Sequence, residues 1–495
     1  MLKRLINSLI PNYSRLTNWA VFSIFALVSI FIRLPFFFRD YIDRDESTFI
    51  LMGQSWVDGH LPYTELWDLK PPITFLVFAG IIYLFGKSFV AIRLIGALIV
   101  AVTAFFSYKI GRRIGSKKIG FWAGIMCVLL QSLFGSIQGV MSEHICMVFF
   151  IPALYLLIKS AKFPYFLFSG LLMGLAIMTK LNIAYAVFLV GLYLVYSCYA
   201  KKHFTSALLN LLSFGVGIIG VIILTVLPYH LLGRADIWWK SVVLAALEYA
   251  GARRSSFLSL APTFLILASL VFLAWKKNYL NIKNKNVQIL LVAILGVLFS
   301  FYKAGRINSH YLIQLYPILV ILVALIGSRI KILQKYDYRP YVFCLLVLLP
   351  MESYLEYTNI LQNRINNGTF FNGEGIAVPQ YLKSKNLETK NVLFFEFHIG
   401  YWSLGTKPPT MAATHPSNIC RSELFPYIDN PRATGVEELE YIMEKIRPKI
   451  VVTRKNRLIF DKKLEDENQY IDAYLEKNYN ILAEVEGAEI RQRLE

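Results

Sequence analysis

Two adjacent acids, Asp45 and Glu46, open the stretch "RDESTFILMGQSW", and Lys70 closes the proline-rich stretch "LPYTELWDLKPP" that follows. A carboxylate in a partly dry site can take a proton from an attacking hydroxyl, and a lysine can hold a phosphate as a point charge. Each has a plainer reading. Acids favour the first turn of a helix, and a lysine beside lipid snorkels to the interface. Residues 44–72 contain five acids and no long apolar run, so they belong at a membrane surface and not across it.

Further charge recurs in short connections. "QGVMSEHICMVFF" carries Glu143 and His144 between two apolar runs, with almost no loop to solvate them. "YKAGRINSHYLIQLYP" carries Lys303, Arg306 and His310, followed by Tyr311. Arg253 and Arg254 sit in the segment 229–256, and Lys180 ends the run in "LMGLAIMTKLNIAY". Acids from two loops and cations from three or four suit a lipid-phosphate substrate, with cations on the leaving phosphate and a carboxylate activating the nucleophile.

These residues need elements to carry them. The chain has 495 residues, 56% hydrophobic and 17% charged, and its apolar runs repeatedly reach about 18 residues or more, the length that crosses a bilayer core. This predicts a polytopic α-helical membrane protein. About eleven spans are expected, near 18–38, 89–110, 119–138, 144–159, 163–180, 181–199, 205–228, 257–275, 287–302, 310–328 and 340–357. The first is read as retained and not as a cleaved leader, because it is long and no small-residue cleavage site follows.

The net charge of +19 does not indicate a nucleic-acid partner. Basic residues cluster in short gaps, at Arg112, Arg113, Lys117 and Lys118, at Lys201 and Lys202, at Lys276 to Lys285, and at Arg329 to Arg339. Such loops mark the cytoplasmic face. All of them fall inside only if the short run 73–86 lies in the interface. The amino terminus is then cytoplasmic, and 39–88, 139–143, 229–256, 303–309 and the tail face outward. Domains are expected at 1–358, within the membrane, and 359–495, an extracytoplasmic α/β domain. In the latter "NVLFFEF" and "KIVVTR" read as strands, and "VPQYLKSKN", "VEELEYIMEKI" and "NQYIDAYLEKNY" as helices. Five scattered cysteines suggest neither a disulfide framework nor a metal site.

The pattern resembles the "DE…Y…D.KPP" signature of dolichyl-phosphate-mannose–protein mannosyltransferase-like glycosyltransferases, a group that includes bacterial aminoarabinose transferases. The likeness continues through "MSEHICMVFFIPALYLLIK", "FSGLLMGLAIMTK" and "GRINSHYLIQLYP" and covers most of residues 20–330. It implies the GT-C fold and an inverting transfer from a polyprenyl-phosphate sugar to an extracytoplasmic acceptor, in the inner (plasma) membrane if the chain is bacterial. By motif position Asp45 is the base and Glu46 its neighbour. Glu143 is the second loop's acid, where many relatives carry Asp, and either binds acceptor or supports the base. Lys70 contacts the donor phosphate, with Arg253, Arg254 and Arg306 as further phosphate ligands. Tyr63, Asp68, His144, Lys180, His310 and Tyr311 are expected to bind substrate. No cofactor is expected; a divalent cation stays open, with no ligand cluster evident. The second Lys-Pro-Pro, at Lys407, is given no catalytic role. The rival readings are a transporter or flippase of a lipid-linked or anionic substrate, and a lipid-linked glycan ligase or polymerase.

Overall fold

Apolar runs in a chain of this composition fold as helices because lipid offers the backbone no hydrogen-bond partner, so each segment must satisfy its own N–H and C=O groups. The computed structural model describes residues 13–199, 204–252, 261–304, 308–331 and 339–494. Among them, six helices are long and apolar enough to cross a membrane: Asn18–Phe38, Phe89–Ile114, Ser142–Lys159, Leu181–Tyr199, Phe204–Leu231 and Lys285–Lys303. Shorter apolar helices include Pro72–Phe85, Phe163–Ile177 and Tyr316–Gly327. Leu27, Phe188, Leu224 and Leu265 project outward from these helices, as lipid-facing side chains do. The protein is a multi-pass membrane protein, as its composition predicts.

The chain forms two compact units. The first comprises Met1–Leu34, Arg93–Pro228 and Arg253–Leu355. Within it, Ser142–Lys159 packs along Phe163–Ile177, Lys285–Ala304 along Ala184–Tyr199, and Tyr316–Gly327 along Lys117–Leu130. Small residues permit the close approaches. A Cβ added at Gly296 would lie 2.3 Å from the Cα of Ala186, so only glycine fits that crossing. One expected span is divided. The run 340–357 forms two helices, Arg339–Leu348 and Met351–Asn367, on either side of Pro350. Proline removes an amide donor and disfavours helical backbone in the residue before it.

The second unit comprises Pro35–Ile92, Tyr229–Ala252 and Glu356–Glu495. Its sheet has four strands, β1 (Val392–Phe394), β2 (Ile450–Arg454), β3 (Tyr479–Val485) and β4 (Ala488–Arg493), in the order β1-β2-β4-β3. β1 and β2 are parallel, and the other pairings are antiparallel. Leu393, Val451, Leu439, Ile442, Ile471 and Leu475 form its core, joining strands to the segment 435–446 and the helix Glu465–Asn478. The two expected strands and three expected helices are all present. The hairpin β3–β4 was not expected; its turn is Glu486-Gly487, with Glu486 at φ 54°.

Two further contacts tie the amino-terminal part of this unit to its carboxy-terminal part. Arg39 bridges Asn372 in parallel, with Asp40 N–H donating to the Asn372 carbonyl at 3.2 Å. Gly373 follows at φ 113°, where a Cβ would meet the Asp40 carboxylate. The helices Arg44–Val57 and Pro72–Phe85 pack face to face, closest at Gly53, where an added Cβ would sit 2.8 Å from the Cβ of Phe78.

Candidate active site

Asp45 and Lys70 meet at the junction of those two helices. Asp43 caps Arg44–Val57, accepting the Asp45 N–H at 2.8 Å, and the acids Asp45 and Glu46 fall in the positively polarised first turn. The helix Pro72–Phe85 starts on Pro71 and Pro72, whose fixed φ suits a first turn. Between the helices, Tyr63 adopts φ 69°, an uncommon conformation for a bulky residue. Its N–H donates to the Leu66 carbonyl at 3.0 Å and its hydroxyl to the Lys70 carbonyl at 2.5 Å. The loop is thereby folded back on Lys70. Lys70 Nζ lies 3.2 Å from Asp45 Oδ2 and 3.9 Å from Asp68 Oδ2, and 5.4 Å from the centre of the Phe49 ring. Asp45 and Lys70 keep about a fifth of their side-chain surface exposed, whereas Glu46 and Asp68 are buried.

The segment after β1 supplies partners to this same helix. Arg44 pairs with Glu396, which also accepts from the Tyr41 hydroxyl. Burial alone would raise the Glu396 carboxyl, but Arg44 and Tyr41 outweigh it and hold it below the usual glutamate value. Burial and Glu396 push the Tyr41 hydroxyl upward. Thr48 Oγ1 lies 2.9 Å from His398 Nε2. Burial, then His415 and Arg44, keep the His398 ring neutral well below the ordinary histidine range. His415 Nε2 stands 3.4 Å from Asp45 Oδ1. Sequence reasoning passed over Glu396, His398 and His415. The first two were marked by a faint signal, an acid and a histidine just past the carboxyl end of a buried strand, where α/β sheets place functional groups. Nothing local marks His415. Beside Tyr63 a pocket of about 380 Å³ is lined by Arg234, Asp236, Lys240, Tyr427 and Asp429 among others.

The first unit holds its own cluster. Glu143, in the first turn of Ser142–Lys159, is fully buried and ion-paired with Lys180. His310 Nε2 is 3.8 Å from the same carboxylate, and Ser142 Oγ donates to it at 3.0 Å. Lys180 Nζ also lies 4.7 Å from the centre of the Tyr311 ring, which stacks on Phe301. Asn182 and Gln314 exchange two hydrogen bonds of 3.0 Å, fixing the turn after Lys180 against the segment carrying His310. His144 plays a different part from its neighbours. Its Nδ1 accepts the Met141 N–H at 3.2 Å and its Nε2 lies 3.0 Å from the Gln131 carbonyl, so both ring nitrogens serve the main chain. Arg253, Arg254 and Arg306 lie outside the described residues. Among the described residues, no three or more His, Cys, Asp or Glu side chains are grouped to hold a metal ion.

Residues 69–229 match the family model for dolichyl-phosphate-mannose-protein mannosyltransferase. That range includes Lys70, Glu143 and Lys180. No curated protein matches the chain. Among solved structures, ArnT from Cupriavidus metallidurans in the apo state superposes with a TM-score of 0.61 at 16% identity, over 96% of this chain and 98% of that one. The same protein bound to undecaprenyl phosphate gives 0.59 at 14% identity, with the same coverage. The chain has the ArnT fold. The likeness to ArnT takes in both compact units nearly end to end, including the carboxy-terminal sheet region. The multi-pass helical fold with a carboxy-terminal sheet region, expected from the sequence, is the fold found.

Proposed function

We propose that the protein is an inverting glycosyltransferase that moves a sugar from a polyprenyl phosphate to an acceptor on the extracytoplasmic side of the inner (plasma) membrane. The observation that carries this reading is the Asp45–Lys70 pair: a partly exposed carboxylate and ammonium 3.2 Å apart, one in the first turn of Arg44–Val57 and the other just ahead of Pro72–Phe85, which packs against it. A base and a phosphate-binding cation at that distance match a reaction in which a hydroxyl attacks as a phosphate leaves. Undecaprenyl phosphate, bound in the ArnT structure, is a lipid phosphate of the kind such a site would release. The amino terminus is cytoplasmic and residues 359–495 extracytoplasmic in this reading, supported by the basic gaps between spans.

In the reaction, the acceptor oxygen forms a bond to the anomeric carbon as the bond from that carbon to the phosphate oxygen breaks. Its electron pair leaves with the polyprenyl phosphate. Asp45 takes the hydroxyl proton, and Lys70 neutralises the departing phosphate. Glu143, Lys180, His310 and Tyr311 form a second polar site for substrate. The Tyr63 pocket, with balanced acids and cations beside tyrosines, suits a hydroxyl-rich acceptor. The test is transfer from a panel of radiolabelled polyprenyl-phosphate monosaccharides to membrane extract. Label moving from one donor with the wild type, but not with Asp45→Asn or Lys70→Ala, supports the proposal. No Lys70-dependent binding of any such donor would overturn it and favour a transporter.

A further inference from the structure

His415 is buried, and its tautomer is fixed by its own chain. Ser417 N–H donates to Nδ1 at 3.2 Å, so in the neutral ring Nδ1 carries a lone pair and Nε2 carries the proton. The ring sits at the start of the short turn Pro416–Asn418, in extended backbone at φ −118°, with Pro416 restricting it from the other side. Nε2 lies 3.4 Å from Asp45 Oδ1, within ion-pair distance, while Lys70 lies 3.2 Å from the other oxygen, Oδ2. Among the described residues His398 also lies near the ring, 6.0 Å away between ring centres, with the paired Arg44 and Glu396 close to the same turn through Ser417.

We infer that His415 is a positioning residue for Asp45, holding Oδ1 through Nε2–H so that Oδ2 is aimed at the acceptor hydroxyl. The inference rests on Asp45 being the base, as proposed above. It gives the carboxy-terminal segment a defined part in the reaction. A donor phosphate that draws Lys70 toward itself loosens its hold on Oδ2, and His415 keeps the carboxylate from rotating as it does so. The acceptor proton passes to Oδ2. In this role His415 acts as a donor through Nε2–H while its Nδ1 accepts from Ser417.

Three substitutions separate this role from simple packing. His415→Gln can place an amide N–H where Nε2–H was. His415→Asn keeps an acceptor for Ser417 but does not reach Asp45, and His415→Phe keeps ring volume without a donor. Both donor-less variants should lose roughly ten- to hundredfold in kcat, the worth of one hydrogen bond to a charged group, with donor KM within about twofold. His415→Gln should recover most of the rate. A second readout does not depend on transfer: carbodiimide labelling of residue 45 against pH, located by peptide mapping. Losing a donor disfavours the charged carboxylate, so the labelling midpoint should move upward in His415→Asn and His415→Phe but not in His415→Gln. Equal loss of rate in all three variants, or an unmoved midpoint in the donor-less pair, overturns the inference. Full transfer by Asp45→Asn would instead remove the base assignment, while the labelling would still report whether His415 holds Asp45.

Discussion

Lys70 Nζ lies 3.2 Å from Asp45 Oδ2, so a phosphate arriving at Lys70 must compete with a carboxylate already beside it. The proposed base and the proposed phosphate ligand are thus coupled before any substrate is present. Asp45→Asn should abolish transfer, by roughly 10²- to 10⁴-fold in kcat. It should also tighten binding of the lipid-phosphate donor, because one opposing charge is gone. Equilibrium binding of radiolabelled donor to both proteins checks the second effect, and weaker binding by the variant would argue against the competition.

The buried pair Glu143–Lys180 should behave as a unit. Removing one partner leaves a buried charge without its principal counter-ion, at about 3–5 kcal/mol. Glu143→Gln and Lys180→Met should each lower thermal stability in detergent by that order. The double variant should regain more than half of it, read as a double-mutant cycle. Additive losses would mean that the two side chains do not depend on each other.

Gly53 sets the distance between the helix of Asp45 and the helix that Lys70 precedes. In Gly53→Ala the new Cβ would start 2.8 Å from the Cβ of Phe78 and 2.9 Å from the Ala79 nitrogen, so the helices must separate. Overpacking of this kind costs about 1–3 kcal/mol. The variant should melt earlier and transfer more slowly, whereas Gly80→Ala, on the other helix with open space around it, should change neither.

The carboxy-terminal histidines give a pH signature. His398 is held neutral in the folded protein, first by burial. Between about pH 6.5 and its lowered folded value, the unfolded chain binds a proton that the folded chain does not. Stability is therefore full above about pH 6.5 and falls as the pH drops below it. Glu396, held below the usual value, adds its own loss only in more acid solution, below about pH 4.3. Melting temperature measured from pH 8 to pH 5 should fall over the lower half of that range. His398→Gln, which keeps a donor to Thr48 but cannot be protonated, should flatten the curve.

What the sequence disclosed follows from how local each signal is. The apolar runs were legible because a membrane-length helix announces itself in one unbroken stretch. Asp45 and Lys70 were legible because they lie within a single motif and join neighbouring helices. Pro350 was visible, yet its break was missed because the surrounding run is apolar enough to read through it. The hairpin β3–β4 was missed for a related reason: "NILAEVEGAEIRQR" is short, charged and half exposed, so its alternation is faint. His415 could not be found locally at all, and His398 only through the faint signal of its strand end. Their partners are Asp45 and Thr48 at the far end of the chain, and only the fold brings those segments together.

That separation also sets an order of events. Thr48 and His398 are 350 residues apart, and at about 5–20 residues per second a ribosome needs roughly 20 to 70 s to make the chain between them. Through that interval the helix Arg44–Val57, with its acids and Thr48, exists without the carboxy-terminal groups that enclose it. A partly synthesised or truncated chain would hold its proposed base without the carboxy-terminal groups that steady it. On the proposed reading the site is complete only when residues 396–415 have been made, so this segment acts as a completion check on nearly the whole chain.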